Sequence, residues 1–227
     1  APVIVLSATL PQKRRFDLIK AYLGKKDMDE NADWCNTAGY PLFTWTDGEQ
    51  VCQKQMSLGV EKDIIQVIWS KDEECMDILK NSLKDGGCAG IILNTVARAQ
   101  DFAQKLSECF PECEMIQMHS QFIISDRAEI EREILKRAGK NSTPEQRNKL
   151  IIVGTQVLEQ SLDIDFDVMI TDLCPMDLLL QRIGREHRHK GRKRPLCLQK
   201  AKCYVLTETR VVYDKWLLQR TADKLPE

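Results

Sequence analysis

The chain has 227 residues, 43% of them hydrophobic, and a formal net charge of −1. That length and apolar content suit an α/β domain with additional segments, with a core that needs no disulfide staples. The balance excludes a uniformly basic nucleic-acid module. No apolar run is long enough for a membrane helix, and the first residues lack the basic and apolar blocks of a secretory leader.

In chain order, Val3–Leu6 is a four-residue apolar run, the pattern of a strand buried on both faces. A domain seldom begins with such a strand, so the chain is expected to start part-way through a larger protein. A turn at Ser7–Pro11, with Thr9 as a cap, leads into a helix from about Gln12 to Leu23 that stops at Gly24. Residues 25–60 read as an irregular linker, with only weak strand signals near Pro41–Thr46. Regular alternation then sets in. Strands are expected at Ile64–Trp69, Ala89–Leu93, Glu114–Met118, Leu150–Val153, Asp167–Thr171 and Ala201–Leu206. Helices are expected at Glu73–Leu83, Val96–Cys109, Asp126–Ala138, Asp177–Gly184 and Val211–Arg220. Strands alternating with helices predict a parallel sheet covered on both faces. The domain reading is 1–24, 25–60 (linker), 61–208 (main α/β domain) and 209–227 (a C-terminal helix leading onward).

The nine cysteines are irregularly spaced. Cys109, Cys113 and His119 lack the second ligand pair of a zinc site, which favours free thiols in a reducing cytoplasm.

Four loops carry unusual chemistry. Functional loops in such sheets leave the carboxyl ends of the strands. Thr95 begins a helix after the second main strand, where it serves as an N-cap or, with Arg98 nearby, receives a phosphate. His119-Ser120-Gln121-Phe122 follows the third, and its lone His has a structural reading as well. In Gly154–Asp165, eight of twelve residues are Gly or polar. There Gly154 allows close backbone approach, Thr155 and Gln156 offer donors, and Asp163 and Asp165 offer carboxylates. Between Arg182 and Arg194 lie seven Lys or Arg and two His against one acid, Glu186. By charge alone this is a solvated basic loop. Arg185 and Arg188, three apart, share a face if the helical turn continues, which is the spacing an arginine finger needs.

Taken together these segments resemble superfamily 2 helicase motifs: Ser7-Ala8-Thr9 motif III, Ile91–Thr95 motif IV, Val153–Asp163 motif V and Gln181–Arg188 motif VI. The match is closer to the CRISPR-associated helicase–nuclease of type I systems, above all along Gly154–Asp167 and Gln181–His189. DEAD-box helicases share only the general scheme. Two positions depart from that family's pattern: Gln121, commonly Arg, and Glu186, often Leu. The latter would place a carboxylate between the two fingers.

The resemblance implies the last strand and helix of a first RecA-like lobe over 1–24, an interlobe linker over 25–60, and then the second RecA-like lobe of an ATP-dependent single-stranded DNA translocase. Arg185 and Arg188 would be catalytic fingers, with Asp163, Gln181 and Gly184 at the nucleotide. Thr95, Arg98, Ser120, Thr155 and Gln156 would lie on the DNA backbone, and Ser7 and Thr9 would couple the lobes. ATP and Mg²⁺ would be bound mainly by the first lobe, since no G-x-x-x-x-G-K-[ST] loop occurs in these residues. A divalent metal would serve a nuclease domain outside this chain. The implied partners are single-stranded DNA, the crRNA-guided surveillance complex, and the first lobe and nuclease domain of the same protein, in a prokaryotic cytoplasm. The piece alone is expected to be inactive. Rival readings are a DEAD-box-like RNA helicase lobe and a non-catalytic protein-docking module. The motor reading requires both guanidiniums to stand clear of the interior, near the carboxyl rim of the sheet.

Overall fold

A computed structural model describes residues 2–7, 10–25, 27–57, 64–159, 162–207 and 212–226. Two compact units divide the chain, Ala1–Asp63 and Ile64–Glu227.

In the first unit α1 spans Gln12–Leu23 and ends at Gly24, whose φ of 63° is the left-handed turn that stops a helix. Pro11 precedes α1 without a side-chain cap; the expected cap, Thr9, lies outside the described residues. Val3–Leu6 is not a buried strand. It belongs to no regular element and is exposed, because no strand lies beside it among the described residues. The segment expected to be irregular holds a short helix, α2 (Asp33–Asn36), and an antiparallel hairpin of β1 (Leu42–Thr46) and β2 (Val51–Gln55). Arg15 of α1, buried, donates to the carbonyls of Trp34, Cys35 and Thr37 at 3.1, 3.0 and 2.9 Å. Phe16 stacks on Trp34 with centroids 5.9 Å apart, and Gln53 of β2 donates to the Trp34 carbonyl. The hairpin is therefore joined through α2 to the preceding helix.

The second unit contains β3 (Gln66–Ser70), α3 (Cys75–Leu83), β4 (Cys88–Ile92), α4 (Val96–Cys109), β5 (Glu114–Met118), α5 (Ile124–Ala138), β6 (Leu150–Gly154), β7 (Val168–Asp172), α6 (Met176–Ile183), β8 (Lys202–Leu206) and α7 (Lys215–Ala222). Its strands form one sheet in the order β3-β8-β7-β4-β6-β5, every pairing parallel. Every residue of β4, β6 and β7 is buried, as strands covered on both faces must be. Alternation decides which face each side chain serves. Ala89, Ile91, Ile151, Val153 and Ile170 pack with Leu79, Phe102 and Leu106 of α3 and α4. Cys88, Ile92, Ile152 and Met169 pack with Ile134 and Leu179 of α5 and α6. The last helix begins at Lys215, where Asp214 caps the Trp216 N–H at 2.8 Å; Val211, its expected start, lies outside the described residues.

Candidate phosphate-binding site

The carboxyl ends of the strands carry the first group of expected residues. Thr95 caps α4, its hydroxyl accepting the Arg98 N–H at 3.2 Å. Arg98 is not available to a phosphate. Its Nε donates to Asp172 at 2.9 Å and its two terminal nitrogens grip Asp72 at 2.7 Å. Two carboxylates on opposite sides of one guanidinium satisfy it, and Asp172 is fully buried. Thr155 is likewise buried, its N–H bonded to the Met118 carbonyl, so the hydroxyl does not reach a backbone phosphate. Gly154 supports that approach: a Cβ there would sit 2.4 Å from the Met118 carbonyl oxygen. Gln156, half-buried, spans from the Asn94 carbonyl (3.0 Å) to the Tyr213 hydroxyl (3.2 Å). Ser120 is exposed. His119 is buried, stacked 4.4 Å from Phe122, and burial holds its pKa below the ordinary value. Gln121 stands beside it, donating its N–H to the His119 ring at 3.3 Å.

One residue passed over by sequence reading organises this edge. Arg182 has no exposed surface. Its guanidinium reaches Glu159 at 2.7 Å, the Thr171 hydroxyl at 2.8 Å and Asn94 Oδ1 at 3.1 Å, along with the Asp172 carbonyl. Long side chains on a helix lean toward its N-terminus. Arg182, near the end of α6, therefore reaches back to the strand ends. The available signal was periodicity: it lies three residues after the buried Leu179, on the helix face that packs inward.

The second group is placed differently from expectation. α6 runs back from the carboxyl end of β7, so the turn after it lies beside the residues that enter β7. Phe166 donates its N–H to the Arg185 carbonyl at 2.8 Å, and His187 returns one to the Phe166 carbonyl at 3.0 Å. Arg185 and Arg188 are not on one continuing helix: α6 ends at Ile183, and His187 adopts a left-handed φ of 48°. They nonetheless meet the same loop, the one leaving β6. Arg185, half-buried, donates to the Glu159 carbonyl at 2.6 Å. Thus the Arg185 guanidinium, though not its backbone, comes close to the carboxyl side. Arg188, exposed, pairs with exposed Asp163 at 2.8 Å and touches the Gly184 carbonyl at 3.4 Å; it stands clear of the interior as expected, but beside the residues that enter β7 rather than at the carboxyl rim. Gln181 is half-buried and Gly184 exposed on the same turn. Hydrogen bonds from His189 (3.1 Å) and Arg188 hold the Asp163 carboxyl below the usual range. Ser7 is exposed in the first unit.

Arg185 forms no ion pair among the described residues, and its buried Nε has no hydrogen-bond partner. Burial and then the neighbouring Arg188 charge lower its pKa. The Asp163 and Glu159 carboxylates offset part of this from a distance, without contact, and an anion in contact would suit such a group. Contrary to expectation, Glu186 does not stand between the Arg185 and Arg188 side chains. It turns inward, nine-tenths or more buried, and accepts the Lys202 N–H at the start of β8. Nor is the following basic run simply solvated. Arg192 and Arg194 engage the buried Asp165, and Arg147 and Arg194 the buried Asp167.

Residues 85–191 match the family CRISPR-associated nuclease/helicase Cas3, C-terminal. The chain is 45% identical over its whole length to the CRISPR-associated nuclease/helicase Cas3 of Streptococcus thermophilus, spanning 26% of that protein. It thus spans about a quarter of the curated relatives it matches. The crystal structure of T. fusca Cas3 with AMPPNP superposes with a TM-score of 0.87 at 32% identity, over 97% of this chain and 29% of that one. A chain in a structure described as a CRISPR RNA-guided surveillance complex, pre-nicking, superposes with a TM-score of 0.83 at 29% identity, over 97% of this chain and 30% of that one. With its RecA-like parallel sheet and these relatives, the chain belongs to the CRISPR-associated nuclease/helicase Cas3 family.

Proposed function

We propose that this lobe completes the nucleotide site of an ATP-driven translocase on single-stranded DNA, coupled to the family's nuclease. The observation that carries the reading is Arg185: a half-buried guanidinium that forms no ion pair among the described residues, with Arg188 beside it on the same loop. The AMPPNP, ATP and ADP complexes of T. fusca Cas3 support a nucleotide in this family.

ATP with Mg²⁺, bound mainly by a first lobe, supplies the phosphoryl group whose transfer drives movement. Arg185 brings its charge, which no carboxylate neutralises by contact among the described residues, toward phosphate oxygens, and Arg188 offers its exposed guanidinium on leaving Asp163. Charge building on those oxygens is stabilised most when the donors are already in place, so fixing Arg185 through Glu159 favours the transition state. Gln181 and Gly184 shape the turn that presents both arginines, and Asp163 links it to the loop from β6. At the carboxyl edge Ser120, the first turn of α4 at Thr95, and Gln156 face DNA phosphates without reading bases. Thr155 and Arg98 act beneath that surface, as supports. Ser7 and Thr9 belong to the interlobe connection. A chain related to this one appears in the surveillance-complex structure, which supports a crRNA-guided complex as partner.

In the full-length protein, Arg185→Ala should lower ATP hydrolysis by roughly 10³–10⁵-fold, the usual worth of such a finger, while ATP binding persists. Wild-type turnover in that variant would remove Arg185 from the site. The isolated chain should hydrolyse no ATP, and adding the first lobe should restore hydrolysis stimulated by single-stranded DNA. Stimulation by RNA instead would favour an RNA helicase; none by either would favour a docking module.

A further inference from the structure

We propose that Asp165 is a positioning residue for the arginine loop, acting through the main chain of Arg188. The inference rests on the reading of Arg188 given above. Asp165 is fully buried just before β7. Its Oδ1 accepts the Arg188 N–H at 2.9 Å, and both oxygens accept Arg194 Nη2 at 2.9 and 2.8 Å. Arg192 Nε stands 2.6 Å from Oδ2, and His189 Nδ1 lies 3.9 Å away. Every one of these partners lies between residues 188 and 194.

Asp167, two residues on, behaves differently. It accepts the Cys88 N–H at 2.8 Å and pairs with Arg147 at 2.8 Å, tying β7 to the body of the sheet. Arg194 bridges the two acids. Asp167 therefore serves the sheet, and Asp165 serves the loop.

The loop needs such a hold at that point. His187 takes a backbone conformation that L residues rarely adopt, and the chain reverses there. The direction in which Arg188 leaves depends on what fixes the next peptide, and Asp165 fixes that N–H. The Arg188 side chain itself is exposed, with only an exposed acid and a carbonyl as partners. Its anchorage thus comes from its backbone, which leaves the guanidinium to exchange Asp163 for a phosphate.

The test uses the full-length protein with ATP and single-stranded DNA, comparing Asp165→Ala, Asp165→Asn, Arg188→Ala and the double variants. Single-turnover phosphate release, nucleotide binding and thermal melting are followed. Asp165→Ala should lower kcat by about 10²-fold, the scale of a small misplacement of a catalytic group, with KM for ATP little changed. Asp165→Asn keeps an acceptor for the Arg188 N–H but turns an amide toward the arginines, and should lose about tenfold. In the Arg188→Ala background neither substitution should lower the rate further. If Asp165→Ala does not fold, Asp165→Asn carries the same comparison. A loss of equal factor in both backgrounds overturns the inference, as does wild-type turnover in the folded Asp165 variants. Wild-type turnover in Arg188→Ala overturns the reading of Arg188 and this inference with it. An additive loss beside an impaired Arg188→Ala overturns this inference alone.

Discussion

At the carboxyl ends of the strands Arg98 and Arg182 are locked onto the protein's own acids; just after α6, Arg185 and Arg188 are held far more loosely. Arg98 and Arg182 are held by Asp72, Asp172 and Glu159 with little or no exposure. Arg185 and Arg188 lie three and six residues beyond Arg182, yet among the described residues one pairs with no carboxylate and the other only with an exposed one. The same side chain is thus a core strut in one place and an open donor in the other. Burial and the supply of counter-charges decide which.

The largest expected effect tests the strut. Arg182→Ala leaves the fully buried Glu159 without its cation and should cost roughly 3–5 kcal/mol in urea unfolding. A loss below about 1 kcal/mol would show that water reaches this edge, and the contrast between the two regions would go with it.

A pH dependence comes next, from Glu186. Burial pushes its carboxyl up to about 8, against the pull of the Lys202 N–H and Arg194. Its folded-state pKa lies above its unfolded value near 4.5, so the native state holds a proton that the unfolded chain has released. Stability should therefore fall as pH rises from about 4.5 to 8, by up to ~1.4 kcal/mol per unit, and level off above. Glu186→Gln should flatten that slope in melting curves taken across the window. An unchanged slope would place the titration elsewhere.

The smallest effect concerns the open donor. Arg188→Ala removes only an exposed pair and should change stability by less than ~1 kcal/mol, whatever it does to turnover. A much larger loss would make Arg188 a strut as well.

Much of the sheet was legible because its signals are local. α4 and β5 fall at their expected limits, Val96–Cys109 and Glu114–Met118, since a capped amphipathic run and a short apolar strand fix them. The hairpin was not. Val51–Gln55 is polar and only half-buried, and its pairing with Leu42–Thr46 supplies the order that its sequence lacks. Val3–Leu6 failed in the opposite sense, since an apolar run makes no strand without neighbours. Within the site, residue types were readable but partners were not. Glu159 and Arg182 are 23 residues apart, and Asp165 and Arg188 also 23, so only the return of α6 across the sheet pairs them. That return also explains why the arginine turn lies at the strand entrances. A loop that follows a helix, rather than a strand, emerges on the opposite side.

The strand order sets a sequence of events for the newborn chain. Among the described residues β3, the first strand of the sheet to be synthesised, pairs only with β8, the last. While the ribosome is still making the segments between them, β3 has no ladder to join and both of its backbone edges are open. Closure of that margin therefore waits for Lys202–Leu206 to emerge. A stalled or truncated product ending before that strand would expose a β3 ready to pair with the wrong chain.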